Sequence, residues 1–407
     1  MNSDDTIDHL FRHEYGKMVS SLTRIYGLDN LELIEDAVQD TFKKAILHFR
    51  NHPMPDNLQA WLRKAVKNGA IDLFRKAQVR QKFSSSSGPG FMSMFEVFSD
   101  REIQDSQLRL LFTICHPDLK PKDQIIFALK TFSGFSISEI ASALLLDKEN
   151  IKKSLLRARK KIKDQKINFQ VPTGLQIKMR LDAVHLALYL LFSEGYHSSS
   201  QNELVRKDLV AEALRLADLV LERFKNYETS ALMALMCFHS ARLNSKVDDE
   251  GNFITLEFQD RSRWNYQLIW KGHMHMSNAC DAEFYSHYHW EAAIASEYAT
   301  PESFKNTDWK QLEIYHRKLQ ECAPSSLNLL NLVAVLIQQS KLEESKSILK
   351  GIHPAQLKGK KHLYYSVQAE LYKKKGEMDL YRSSLIKALE KSNNSYESRM
   401  IKRKIKE

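Results

Sequence analysis

SISEIASALLLDKENIKKSLLRARKKIKDQK, residues 136–166, decides how the chain is read. Ser136-Ile-Ser-Glu139 has the form of a capping box, a Ser N-cap with Glu three residues on, so a helix is predicted to start here. Ile140, Ala141, Leu144 and Leu145 follow at helical spacing. Asp147 then offers a second N-cap. The helix it opens carries Lys148, Lys152, Lys153, Arg157, Arg159, Lys160, Lys161, Lys163 and Lys166 against only Glu149 and Asp164. Ile151, Leu155, Ala158 and Ile162 form its apolar seam. One face packs and the other meets polyanion, which is the layout of a helix–turn–helix whose second helix enters a DNA major groove.

Working outward, 407 residues allow two or three domains, and a hydrophobic content of 43% supports real cores. With only 13 Gly and 9 Pro, and no sustained strand-like alternation, long helices and an all-α fold are expected. The net charge is +10, and the basic residues concentrate at 61–82, 148–166 and 402–406, while 29–40 is locally acidic. Four widely spaced cysteines (Cys115, Cys237, Cys280, Cys322) include no CxxC pair, which points to reduced thiols rather than a zinc ribbon or disulfide framework. The N-terminus lacks a signal-peptide pattern. The longest apolar run, Ala183 to Phe192, has about half the length of a membrane span. A cytoplasmic protein without a membrane partner is expected.

Residues 5–50 hold two helical patterns, ended by Pro53 and Pro55. A third helix is predicted from about Asn57 to Gln81, basic on its outer face. Ser84 to Gly90, SSSSGPG, reads as a flexible linker. Val171-Pro-Thr-Gly174 marks the next break, and the rest of the chain is helical in pattern. Near its end, Val333, Leu336, Ser340, Ser345 and Leu349 are echoed thirty-six residues later by Ala369, Tyr372, Gly376, Tyr381 and Leu385, with Ala388 beyond. This is a degenerate tetratricopeptide-like repeat with Tyr381 where a small residue is expected.

Two small helical domains, a basic helix in the first, a linker, and a helix–turn–helix in the second resemble sigma factors of the extracytoplasmic-function class. Glu35-Asp-Ala-Val-Gln-Asp-Thr-Phe42 resembles that family's polymerase-clamp helix. Asn57-Leu-Gln-Ala-Trp61-Leu-Arg63 through Ala70-Ile-Asp72-Leu-Phe-Arg75 resembles its −10 region. Arg109 to Pro117, Phe192 to Tyr196, Leu209 to Leu216 and Asp260-Arg-Ser-Arg-Trp264 are similar to a subgroup with a long tetratricopeptide-like extension. The resemblance implies a polymerase- and −10-binding domain at 1–82, a linker at 83–103, and a −35-binding domain at 104–168. The helical extension follows at 171–407, its hairpins near 327–392.

It also implies roles. Asp36, Gln39, Asp40 and Phe42 would meet core RNA polymerase, since acids there repel DNA. Arg63, Lys64, Lys67, Arg75 and Lys76 would hold promoter phosphates, and Asn68 would reach a base edge. Asn57, which opens that segment, and Trp61 would also contact the −10 element, although Trp61 alone reads as core ahead of a stacking platform. On the −35 helix, Lys148, Asn150, Lys152, Lys153, Ser154 and Arg157 would face the groove. There Arg can pair with guanine and Asn with adenine, while lysines suit phosphates.

Two other readings were weighed. His273, His275, His287 and His289 near Cys280 have the residue types of a metal site, but HxH spacing on a helix points the rings apart, so core or interface histidines are expected and no metal or cofactor. Asp260 to Trp264 suggests a buried salt-bridge network ahead of an anion or catalytic site. No nucleotide fingerprint or nucleophile elbow is present, so no enzyme activity is expected. The alternative function is a polymerase-independent operator-binding regulator. The break at 169–174 would let the extension, with a regulatory protein or ligand on it, control the DNA-binding domains in cis.

Overall fold

The computed structural model describes residues 3–80, 99–144, 146–197, 205–248, 252–392 and 395–406, and the serine-rich linker expected at 84–90 lies outside them. The fold is all-α; the described residues hold one isolated antiparallel bridge, Val247 with Phe253. No described helix is long and apolar enough to cross a membrane. Residues 1–200 with 206–220 form one compact unit, and 201–205 with 221–407 form another. The extension expected from 171 onward is therefore divided between the two.

The first unit holds α1 (Ser3–Tyr26), α2 (Leu31–Phe49), α3 (Leu58–Arg80), α4 (Asp100–Ile114), α5 (Pro121–Ser133), α6 (Ile137–Ala143), α7 (Lys148–Asp164) and α8 (Leu175–Tyr196). It also holds α9 (Lys207–Arg223) up to Val220. Glycines in the left-handed region separate several of these: Gly27 (φ +82°) follows α1, Gly134 (φ +65°) caps α5, and Gly174 (φ +58°) precedes α8. Pro121 in the first turn and Gly134 past the last give α5 the usual helix asymmetry. Val19, Ile34, Val38 and Phe42 of α1 and α2 close over Leu62, Val66 and Ala70 of α3 as a buried core. The seam of α7 is as predicted, with Ile151, Leu155, Ala158 and Ile162 all buried. The apolar run at 183–192 lies in α8, with Val184, Leu188, Leu191 and Phe192 in the core.

The second unit holds α10 (Tyr227–Ala241), α11 (Tyr266–Ala279), α12 (His287–Ala299), α13 (Trp309–Cys322), α14 (Ser326–Gln338), α15 (Leu342–Lys350), α16 (Lys361–Lys375), α17 (Met378–Lys391) and α18 (Ser395–Lys406). α10 is buried on every face from Thr229 to Phe238, as befits a helix apolar all round. The close approach of α11 needs Gly272, where a Cβ would stand 2.7 Å from the Phe238 ring.

The thirty-six-residue echo is a repeated turn. After α14, Lys341 N donates to Leu336 O at 3.0 Å and Ser340 N to Ile337 O at 3.0 Å. After α16, Glu377 N donates to Tyr372 O at 3.0 Å and Gly376 N to Lys373 O at 3.1 Å. Ser340 (φ +60°) and Gly376 (φ +78°) hold the same left-handed position. Ser345 and Tyr381 open the following helices at equivalent, buried positions. Tyr381 fits where a small residue was expected because Ala369, Leu385, Ala388 and Ile401 of α18 surround it in one cluster. Serine in the left-handed region carries roughly 1 kcal/mol of strain that glycine lacks. Ser340→Gly should therefore raise or hold the melting temperature, whereas Gly376→Ala should lower it by a destabilisation of about 1 kcal/mol. Thermal unfolding of both variants checks this; a lowered melting temperature for Ser340→Gly would break the equivalence of the two turns.

Candidate nucleic-acid and polymerase interface

The helix–turn–helix is built as its sequence suggests at one end and differently at the other. The capping box forms reciprocally: Ser136 N donates to Glu139 Oε2 at 2.8 Å, and Glu139 N to Ser136 Oγ at 3.2 Å. Asp147 has the extended backbone of an N-cap, but its carboxylate accepts from the Asn150 side chain at 3.4 Å instead of capping the helix. Lys148, Asn150, Lys152 and Lys153 stand exposed on the outer face of α7, with Lys152 paired to Glu149 at 2.7 Å.

Two expected groove residues are corrected. Ser154 is 2% exposed, on the packed side of α7, where no base can reach it. Arg157 forks onto Asp123 of α5, Nε to Oδ2 at 2.7 Å and Nη2 to Oδ1 at 2.6 Å. Burial alone would push the Asp123 carboxyl up, but the hydrogen bonds from Arg157 and Ser154 outweigh it and hold that carboxyl below its usual range. Arg157 thus ties α7 to α5 and its fork is already taken.

The basic helix α3 divides in the same way. Asn57 caps it, its Oδ1 accepting from Ala60 N at 2.9 Å. Lys64, Asn68 and Arg75 are exposed and Lys67 is half-buried; the side chain of Lys76 lies outside the described residues. Arg63, expected on phosphate, donates to Glu14 at 3.1 Å. Glu14 has no solvent exposure and also accepts from Lys17 at 2.8 Å and Gln59 at 2.5 Å, so a buried carboxylate claims the arginine. Trp61 is half-buried edge-on against Phe49 at 4.8 Å and stacked on His48 at 5.9 Å. On α2, Asp36 and Asp40 are exposed and Gln39 is half-buried. Phe42 is 2% exposed and packs edge-on against Phe11 at 4.8 Å, so it belongs to the core and cannot join a contact patch.

The motif also hid a residue that sequence reasoning missed. Glu35, beside the acidic patch, is 2% exposed. It accepts from Arg159 of α7 at 2.5 Å and from Thr131 of α5 at 2.9 Å. Arg159 also pairs with Glu32 at 3.0 Å. Around this pair the two halves of the unit meet closely. A Cβ on Gly16 of α1 would lie 2.7 Å from Phe132 O of α5, and one on Gly134 would lie 2.9 Å from the Phe11 ring. Arg24 of α1 bridges Glu102 and Asp105 of α4. The signal available in sequence was an acid at a core-spaced position of α2.

Helices α8 and α9 join this assembly. Arg180 donates to Phe112 O at 3.3 Å. Arg206 is 6% exposed, lies 4.3 Å over the Phe135 ring, and stands 3.9 Å from Glu139 of the capping box. Arg215 forks onto Glu212 at 2.8 and 2.9 Å and feels the charge of Glu14.

In the second unit the expected salt-bridge network at 260–264 is replaced by something else. Asp260 is exposed and accepts from Ser262 N at 2.9 Å and Oγ at 2.7 Å. Arg261 stacks 4.3 Å over Trp264 and donates to Tyr298 O and Pro301 O at the end of α12, satisfying carbonyls the helix leaves open. The arginine caps a helix rather than pairing with an acid. Two of the histidines have their own partners: His273 meets Thr300 at 3.1 Å, and His289 completes a capping box with Ser286 at 3.0 Å.

Three segments of the chain match known families. Residues 10–80 match the sigma-70 region 2 family and 113–162 the sigma-70 region 4 family. Residues 180–280 match a family of unknown function, DUF6596. An uncharacterized protein of Rhizobium meliloti is 28% identical over 380 residues, covering 92% of this chain and 89% of its own length. The RNA polymerase sigma factor YlaC of Bacillus subtilis is 27% identical over 170 residues, covering 40% of this chain and 93% of its own length. No solved structure matches. The chain thus carries sigma-70 regions 2 and 4 in order, the make-up of an extracytoplasmic-function-like sigma-70 factor, followed by a helical extension.

The Glu35 pair yields a directional test. Gly16→Ala improves helix propensity in α1 by about 1 kcal/mol yet should push α5 away. Arg159→Ala, by leaving a buried carboxylate without its counter-charge, should separate α7 from α2 as well. A distance measurement between labels on α2 and α7 should lengthen in both variants, and an unchanged distance would refute the reading. Burial holds the Glu35 carboxyl above its usual range despite Arg159, Lys130 and Thr131. The folded chain therefore keeps that proton to higher pH than the unfolded chain, so this group's contribution weakens as pH rises from the ordinary glutamate value through the raised one. Glu35→Gln should remove that component from a plot of melting temperature against pH.

Proposed function

We propose that the chain is a promoter-specificity subunit that directs core RNA polymerase to particular promoters, with no catalytic step of its own, in the cytoplasm. The outer face of α7 carries this reading, where Lys148, Asn150, Lys152 and Lys153 stand clear of the packed seam on a helix–turn–helix. That face reads the −35 element. The exposed positions of α3, Lys64, Asn68 and Arg75, hold the strand that opens at −10. Asp36, Gln39 and Asp40 face the polymerase.

The arrangement around Glu35 is then a resting state. Elements centred about 25 base pairs apart lie on the order of 85 Å apart along B-form DNA at 3.4 Å per base pair. With α7 joined by a 2.5 Å ion pair to α2, on which α3 packs, α7 and α3 cannot serve both elements at once. The eighteen residues 81–98 between the two regions can span about 60 Å if extended, so separation is within reach of the chain. The same geometry supports control in cis: Arg206 rests on region 4 through Phe135 and Glu139, and Arg215 lies within electrostatic reach of Glu14 of region 2. Helices α8 and α9 favour the closed form, and a signal to the extension releases it.

The test is transcription in vitro from the gene's own upstream DNA, using core polymerase of the same organism. The full chain should support initiation that core alone does not. Arg206→Ala with Arg215→Ala should raise initiation severalfold at limiting protein. A chain that neither starts transcription nor co-purifies with core would end the sigma-factor reading. Unchanged initiation by the double variant would end control through α9.

A further inference from the structure

Helix α18 has two faces. Ile401 is 1% exposed and Ile405 packs beside it against the Tyr381 and Leu385 cluster, so one face is anchored to α17. Glu397 turns toward His362 at 3.2 Å and Lys404 toward Glu370 at 2.6 Å. The outer face carries Arg399, Lys402, Arg403 and Lys406, all exposed and spaced i, i+3, i+4 and i+7. Among the described residues no carboxylate pairs with Lys402, Arg403 or Lys406.

This is not the mixed surface of an ordinary solvated helix, where acids four residues away offset the bases. The helix dipole favours Arg403 and Lys406 in the last turn, but it gives no reason for Lys402. The surroundings are skewed too: residues 358–407 hold fourteen Lys and Arg against six Asp and Glu, a local excess of eight positive charges. Four cations about one helical turn apart suit a row of phosphates, and phosphate contacts need no base-reading geometry.

We infer that the outer face of α18 is a DNA-backbone surface, a sequence-independent contact to duplex phosphates additional to the two sigma regions. The inference rests on the reading of the chain as a promoter-binding protein and supplies a role for the far end of the extension. Phosphates neutralised by this helix release counterions, so binding through it weakens as salt rises.

The test compares the full chain with a Lys402→Gln, Arg403→Gln, Lys406→Gln variant, binding random-sequence duplex DNA over a salt series without polymerase. Lys305→Gln, Lys310→Gln, Lys318→Gln is a control of equal charge at exposed sites of the same unit. The slope of log affinity against log salt should shrink by roughly one unit per contact, so by about two to three, in the first variant and not in the control. Equal slopes in all three proteins would overturn the inference, as would equal losses in the two variants. Phosphatidylserine vesicles supply a second arm: vesicle binding lost in the first variant with an unchanged DNA slope would assign the face to a lipid surface instead. Holoenzyme binding to the promoter separates this inference from the reading it rests on. If wild-type chain with core binds its promoter and the duplex slopes are equal, the α18 surface falls and the sigma-factor reading stands. If it does not bind but the slope shrinks, the reverse holds.

Discussion

A buried carboxylate must be answered, and in the first unit Glu35 is answered from the other DNA-binding region. Arg159 of α7 and Thr131 of α5 both turn to it, and their helices come with them. The close approach at Gly16, the cap at Gly134 against Phe11, and the Arg24 bridge to α4 are consistent with that single docking. Pairing a buried charge adds little net stability over an apolar core, but removing one partner is costly, so such a pair works as a latch. Its protonation preference runs the same way, since burial disfavours the charged carboxylate even with Arg159 in place.

Arginine and lysine divide the labour on the two basic helices α3 and α7. Arg63, Arg157 and Arg159 each turn to a buried acid, Glu14, Asp123 and Glu35 in turn. Lys64, Lys148, Lys152 and Lys153 stay in solvent. The planar guanidinium matches a carboxylate with two parallel donors, and it is desolvated more readily than an ammonium. The arginines therefore shape the helices that the lysines present. An arginine on such a helix is a weaker guide to base reading than its chemistry alone suggests, because the fold's own acids compete for it.

The extension uses helix ends as its joints. Arg261 closes α12, Ser340 and Gly376 close α14 and α16 with one turn geometry, and α18 closes the stack with an apolar inner face.

Much of this was legible before any coordinates. Periodicity and capping residues placed the helices of residues 5–81 and the two of the helix–turn–helix, the seam of α7, the break at Pro53 and Pro55, and the thirty-six-residue echo. These are local properties, set by propensity, spacing and turn chemistry within a few residues. Other outcomes required the folded chain. Ser154 faces inward, Phe42 lies in the core, and Arg157 and Arg63 are held by acids 34 and 49 residues away. Glu35 meets a partner 124 residues along the chain. Arg261 caps a helix 37 residues on. A single sequence shows which side chains can carry charge; which of those charges find one another depends on distances that only tertiary packing sets.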